Sequence, residues 1–405
     1  MKGLKMFCLL VVCVSQVILC SGGRTAEPGT HGFRQPPYGP DSPWNLKIGP
    51  APVYDPNSTV VVRALHGVFG SDPTRYTMPV YAVDLETPMV TVRFSGLFSN
   101  VTENGEALAV LKRPDLQVPV PSHAHQARGR DGQMILWNPE TGDELGFWRM
   151  KKAGDIWMAV NGYHYNTRWS GVPPVGFISR GAGVPYLAGL IRPWEIAQGR
   201  IDHAIAFGVD YPNRLFVYPA TKSDGKGLDH FLPAGARLQL DPFLTADDFT
   251  GWGLDRAGKI IARALQSYGM ILIDGSGHPK IYAEYEGTAN WNGEIHKNTV
   301  RQIPYTAFRV LSLTTPRQPV APASVGAEPL EKGIQITWEP SPTATRYRIK
   351  KRTGGQGEFI LLDPWVKKTG YLDVTVVKGE TYTYWVSGVS HNGVSPGAIS
   401  ATVTY

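Results

Sequence analysis

Between about residues 44 and 313 the chain alternates short apolar runs with turn residues. The runs STVVVRAL, MVTVRFSG, DIWMAVNGYHY, RLFVYPA, ARLQLDPF, GMILIDG and IYAEYEG are each only a few residues long, with Gly, Pro, Asn and Asp between them. That density of short segments predicts an all-β domain, a β-sandwich or jelly roll with one or two short helices. QMILWNPETGDELGFWRM predicts a hairpin, with Pro139, Thr141, Gly142 and Asp143 turning the chain and aromatic residues on both arms. One segment keeps a helical period. In DRAGKIIARALQSYG, Leu254, Ile260, Ile261, Ala264 and Leu265 share a face, Gly269 supplies a stop, and the strand MILID follows directly.

The stretch GLIRPWEIAQGRIDHAI, residues 189–205, breaks the pattern by crowding Arg192, Trp194, Glu195, Asp202 and His203 together. Pro193 suits a first helical turn, Glu195 the positive end of that helix and Gly199 its stop. RIDHAIAFGV then alternates as a strand, with Ile201, His203, Ile205, Phe207 and Val209 on one face and Asp202, Ala204 and Ala206 on the other. His203 is therefore either a core histidine satisfied by a hydrogen bond or the floor of a cleft.

The pattern changes at both ends. Lys2 and Lys5 precede an apolar run from Met6 to Cys20 that is too short to span a bilayer, which predicts a signal peptide over 1–22 and a secreted, extracellular protein. Lipid attachment at Cys20 is the alternative localisation. All three cysteines, Cys8, Cys13 and Cys20, lie in this leader, so the remainder has no disulfide and must rely on its core. A Gly/Pro-rich spacer or extended arm follows over 23–43, then the main domain over 44–313. No later stretch is apolar enough for a transmembrane helix. Removing Lys2 and Lys5 takes the formal charge from +6 to +4, and the scattered basic residues predict no nucleic-acid partner. Sequons occur at Asn57 and Asn100.

A linker over 314–323, within TTPRQPVAPASVG, separates a module at 324–405. GIQITWEPS with Trp338, TRYRIKKR, and KGETYTYWVSGVSHNGVSP with Tyr382 resemble the second, third and penultimate strands of a fibronectin type III domain, Tyr382 standing at the tyrosine corner. Arg346, Arg348, Lys350 and Arg352 alternate onto one strand face, which reads as solvated. The main domain, through SPWN, GAGVPYLAGLIRPWEIAQGRIDHAI, PATKSDG and ARALQSYGMILID, resembles a set of exported microbial proteins whose architecture is similar to jelly-roll carbohydrate-active enzymes. That resemblance carries over no catalytic residue.

Several groups are candidates for chemistry. Asp274 ends MILID, and Glu284 shares a strand face with Tyr282; paired carboxylates beside aromatics are what glycoside hydrolysis uses, so Asp274 and Glu284 form the expected catalytic pair, with Asp202 and His203 ordering the site. The bland alternative for Asp274 is a turn cap before Gly275. Trp194, Arg192, Tyr282, Trp291, Arg180 and Tyr165 are the candidate substrate-binding residues, the aromatics stacking on sugar rings. A lyase needs a cation against a uronate carboxylate and a base; Arg180, Arg192 and Arg168, with Tyr163, Tyr165 and His164, supply both types. His123 and His125, two apart, are the candidate ligands of a divalent metal cofactor, with no third ligand evident. No serine elbow, phosphate loop, dinucleotide fingerprint or HExxH helix occurs. The expectation is a secreted polysaccharide-cleaving enzyme, hydrolase ahead of lyase, acting on a polysaccharide or glycoconjugate. The alternative is a non-catalytic glycan-binding or cell-surface interaction protein that uses the same aromatics.

Overall fold

The computed structural model describes residues 35–405 apart from 103, 104, 229, 314–319, 343, 345, 358, 391, 392 and 396. The leader, Cys20, the first part of the spacer and most of the linker therefore lie outside the described residues. The chain is predominantly β, in stacked sheets.

An outer sheet orders the strands Asp115–Pro119, Met89–Phe94, Ile156–Ala159 and Lys151–Ala153. An inner sheet orders Val80–Ala82, Met134–Trp137, Asp143–Trp148, Asn161–Asn166, Leu97–Thr102 and Ala107–Lys112. The alternation of each strand sorts its side chains. Val92, Phe94 and Trp157 of the outer sheet meet Met134, Leu136 and Phe147 of the inner one. The opposite face of the inner sheet presents Ile135, Trp137, Tyr163 and Tyr165 to a second core. The expected hairpin is present, Met134–Trp137 pairing antiparallel with Asp143–Trp148, and Gly142 takes the positive φ (83°) that its turn requires.

That second core is closed by a sheet of mixed direction: Gly70–Ser71, Lys280–Ile281, Ile205–Val209, Met270–Gly275, Arg237–Leu240 and Phe308–Val310. Ala206, Ile271 and Ile273 face the inner sheet, whereas Ile205, Phe207, Leu272 and Leu238 face helices on the far side. The expected helix is observed as Arg256–Ser267, with Asp255 accepting from the Gly258 N–H at its N-terminus, and Ile260, Ile261, Ala264 and Leu265 buried against this sheet. It is the last part of the long crossover between the parallel neighbours Ile205–Val209 and Met270–Gly275, a crossover that also contributes Arg237–Leu240 to the sheet. Their register slips by one residue: Phe207 pairs with Leu272 but Gly208 with Asp274, leaving Ile273 as the extra residue of a bulge.

Several sequence expectations are corrected here: RLFVYPA pairs only through a bridge of Phe216 to Ala234, IYAEYEG is a strand only at Ile281, the end of Lys280–Ile281, and the strand expected from RIDHAIAFGV begins at Ile205. STVVVR forms a helix, Ser58–Arg63, because burying Ser58, Val61 and Val62 at i, i+3 and i+4 against the sheet outweighs the strand preference of three valines. The Ser58 hydroxyl then accepts from the Val310 N–H at 2.8 Å. The described end of the spacer is docked on the main domain: Tyr38 is buried, its N–H donates to the Thr167 carbonyl, and its hydroxyl donates to Glu144 at 3.0 Å.

The C-terminal module packs the sheet Val325–Leu330, Gly333–Trp338 and Gly370–Asp373 against Ile360–Val366, Arg346–Thr353, Thr381–Ser390 and Gly393–Val394. Trp338 and Tyr347 meet edge-to-face in its core. The Val377 N–H donates to the Tyr382 hydroxyl at 2.8 Å, making the expected corner. Its basic strand is not simply solvated. Arg348 is mostly buried and pairs with Glu106 of the main domain at 2.7 Å, Lys350 lies over Trp385 and Arg352 over Phe359.

Candidate active-site cleft

Where the mixed sheet ends against the inner sheet, the two separate and leave a cleft of about 830 Å³. Asp274 reaches it from the C-terminal end of Met270–Gly275. The bulge at Ile273 decides this placement: Leu272 faces the helices and Ile273 the inner sheet, and the extra residue keeps Asp274 on the inner-sheet side with Tyr282. Asp274 Oδ1 accepts from the N–H groups of Gly181, at 3.3 Å, and Gly275, at 3.0 Å.

Asp224 approaches from the loop after Ala220. A Cβ placed on Gly181 would stand 3.1 Å from Asp274 Oδ1 and closer still to Asp224 Oδ1. The two oxygens are thus separated by less than twice that distance, which falls short of the ~6.5–9.5 Å gap of inverting glycosidases and leaves only the closer arrangement of retaining ones. Burial, then the neighbouring Asp224 charge, pushes the Asp274 carboxyl up to about 6, with Arg180 and the Gly181 N–H opposing. One carboxyl is thereby held as a proton donor into mildly acidic pH beside a second, more exposed one.

Arg180 is 5% exposed and lies beneath the cleft between the rings of Tyr186 and Tyr282, 5.5 and 5.2 Å from their centroids. Its Nη2 donates to the Tyr186 carbonyl, while its Nε and Nη1 groups have no partner. Gln133, 6% exposed and also lining the cleft, carries an unpartnered side-chain oxygen. Lys280 donates to the Tyr76 carbonyl at 2.8 Å and lies over Tyr282; burial lowers its pKa, and burial likewise lowers that of Lys222. Trp148 lines the opposite wall, its indole N–H donating to Asp131 and its ring covered on one side by Arg149.

The structure brings Asp274, Tyr282 and Arg180 together and separates the other sequence candidates from them. Glu284 is buried in an ion pair with Arg192 at 2.6 Å, and Arg192 also lies over Trp137; neither lines the cleft, so Glu284 is not the partner of Asp274. Trp291 is a core residue whose indole N–H donates to the Glu284 carbonyl. His203 and Glu195 pair at 2.9 Å, with 2% and 0% side-chain exposure. Glu195 also accepts from the Arg192 N–H at the start of the helix Pro193–Gln198, so the histidine serves that helix. Trp194 lies half-buried beside them. Asp202 points away to pair with Arg200 at the surface. Tyr165 is fully buried against Tyr38 and Trp169, although its neighbour Tyr163 does line the cleft. His164, on the alternate face, bonds Asp143 and Asn100.

His123 and His125 are exposed and pack edge-on against Tyr81. No group of three or more His, Cys, Asp or Glu fit for a metal occurs among the described residues, so the expected metal pair gains no third ligand. Sequence reasoning missed Asp224, Lys222, Asp131 and Lys280. The first two sit in PATKSDG, which has no periodicity, and only the inward path of that loop makes them cleft residues.

The architecture defines the chain as an all-β protein with a C-terminal sandwich of fibronectin type III form. No family model matches the chain, and no curated protein does. Among solved structures it is similar over about a fifth of its length to a Fn3-like protein from Clostridium thermocellum, with 28% identity over 21% of this chain and 90% of that one and a TM-score of 0.20. It is similar also to the FN5 domain of Drosophila Lar (21% identity, 21% and 95% covered, TM-score 0.19) and to an FN3 domain of human collagen XX (22% identity, 22% and 91% covered, TM-score 0.19). No helix among the described residues is long and apolar enough to cross a membrane.

Proposed function

We propose that this protein is an exported glycan-cleaving enzyme whose cleft hydrolyses a glycosidic bond between Asp274 and Asp224. The observation that carries this reading is the close approach of the two carboxylates at Gly181, one of them with its pKa raised to about 6, in a cleft walled by Tyr76, Trp148, Tyr186 and Tyr282. Asp274 is the general acid that protonates the departing glycosidic oxygen. Asp224, more exposed, is the nucleophile on the opposite side of the sugar ring. Aromatic rings and polar groups both line the walls, which suits a pyranose with apolar faces and a hydroxyl rim.

The test is release of reducing ends by the full chain on a polysaccharide panel, with absorbance of unsaturated uronates followed in parallel. Hydrolysis without unsaturated product is expected. Asp274→Asn and Asp224→Asn should each lower the rate by roughly 10²–10⁴-fold, and Gly181→Ala, whose methyl would wedge between the two carboxylates, should act in the same direction. Unsaturated products would replace hydrolysis with elimination. Glycan binding without any product would replace the enzyme with a glycan-binding protein.

A further inference from the structure

Acceptors and donors in the cleft are unequally satisfied. Among its carboxylates, Asp131 accepts from Trp148, Asp72 accepts from the N–H and hydroxyl of Thr74, and Asp274 accepts from two backbone N–H groups; Asp224, beside Asp274, has no hydrogen bond among the described residues. The cations are much less engaged. Lys222 lines the cleft with its stem against Gly183, and among the described residues its ammonium makes no hydrogen bond or ion pair. Lys280 uses one of its three donors, on the Tyr76 carbonyl. Arg180 keeps two unpartnered nitrogens just below.

Desolvated cations without hydrogen-bonded partners are costly, and that cost lowers the pKa of both lysines although Asp224 and Asp274 pull on Lys222, and Asp274, Asp72 and Asp131 on Lys280, in the other direction. A neutral sugar would leave it in place. An anionic group on the sugar would relieve it through charge-assisted hydrogen bonds.

We propose that the cleft takes an acidic saccharide, with a uronic-acid carboxylate seated against Lys222 and Lys280 and supported from beneath by the charge of Arg180. This rests on the glycan-cleaving reading and narrows its substrate class. Lys222, half-buried and unpaired, is the group in reach of the carboxylate. Arg180, whose free N–H groups are covered, acts through charge. The positive wall adjoins Asp274, so the acidic sugar sits next to the bond that is broken.

The test measures binding, in the full-length Asp274→Asn chain, by affinity electrophoresis in gels carrying polygalacturonate, alginate or glucuronoxylan, in gels carrying each polymer after its carboxyl groups are reduced to alcohols, and in gels carrying dextran sulfate. Carboxyl reduction should weaken binding to at least one of the three by about 10–100-fold, the worth of a charge-assisted hydrogen bond. Adding Lys222→Met should cost a similar factor on that acidic polymer and a smaller one on its reduced form. Equal affinity for acidic and reduced polymers, or no binding to either, overturns the proposal, and the reduction arm does so without relying on the lysine variant. Tight binding to dextran sulfate alone assigns the wall to sulfate esters and overturns the carboxylate. Product release by the unmutated chain is scored separately, so that cleavage of neutral polymers with equal affinity for acidic and reduced ones would sink the substrate class and leave the activity standing.

Discussion

At Asp274 a folding cost and a chemical use coincide. Its carboxyl is raised to about 6 by burial and by Asp224, so the folded state holds this proton more tightly than the unfolded chain, whose aspartates titrate near ~3.9. The sign follows: this group's contribution to stability is fully present below the unfolded value, falls as pH rises through about 6, and is level above it. Asp274→Asn should therefore raise the melting temperature relative to the parent above pH 6 and leave it unchanged at pH 4, as read by calorimetry across that range. The same ionisation removes the general acid, so kcat/KM of the parent should fall on the alkaline side with an apparent pKa near 6. A rate that stays flat from pH 5 to 8 would remove Asp274 from the acid role. Glu144, the other buried carboxyl near the cleft, is raised by burial against hydrogen bonds from Tyr163, the Leu187 N–H and Tyr38, and it ties the arm at Tyr38 to the inner sheet.

Among the elements, the helix Pro193–Gln198 and the turn after it are held by charges buried together. His203 is drawn down by burial, but Glu195 and the Ala204 carbonyl more than offset this, and its pKa is raised. Its stabilising contribution is fully present below the unfolded histidine pKa of about 6.5 and is lost as pH rises through the higher folded value. His203→Ala should destabilise by about 3–5 kcal/mol, because it strands a buried Glu195. Glu195→Gln should abolish the pH dependence assigned to this pair, both read from urea unfolding between pH 5 and 9. Much at this scale was legible in advance. Period and turn residues gave the helix ending before Gly269, the hairpin at Asn138–Asp143 and the two faces of Ile205–Val209. They failed where distant contacts decide: the valines of Ser58–Arg63 coil because of the sheet beneath them, and Glu284, on the expected face beside Tyr282, is taken by Arg192, 92 residues earlier. Asp224 could not be found by pattern, since a loop has no period to read.

Over the whole molecule, composition suggests a linker over 314–323 but gives no sign of the ion pair between the C-terminal sandwich and the main domain. Glu106, in the turn between Leu97–Thr102 and Ala107–Lys112, meets Arg348 of the C-terminal sandwich, and burial raises the Glu106 pKa against the opposing pull of the arginine. Arg348→Glu should loosen the two modules, and combining it with Glu106→Arg should restore them. Small-angle scattering would report expansion and its reversal, and a double-mutant cycle should give an interaction energy of about 0.5–3 kcal/mol. If the single exchange leaves the scattering profile unchanged, the pair does not hold the modules together. The parallel pairings that set the layer order, Ile205–Val209 with Met270–Gly275 among them, were likewise hidden from a reading of short apolar runs, since period alone does not distinguish strand direction.

The bulge at Ile273 gives the molecule a peculiar genetic geometry. A strand has only two phases, and Asp274 faces the cleft because one residue too many sits before it. Regular pairing of the same residues would set Asp274 opposite Val209 and turn the carboxylate toward the greasy layer of helices; the slip puts Ile273 and Asp274 on one side and keeps it in the cleft. Reactivity here is thus an irregularity retained, and selection for a tidier strand alone would run against selection for the chemistry of the cleft.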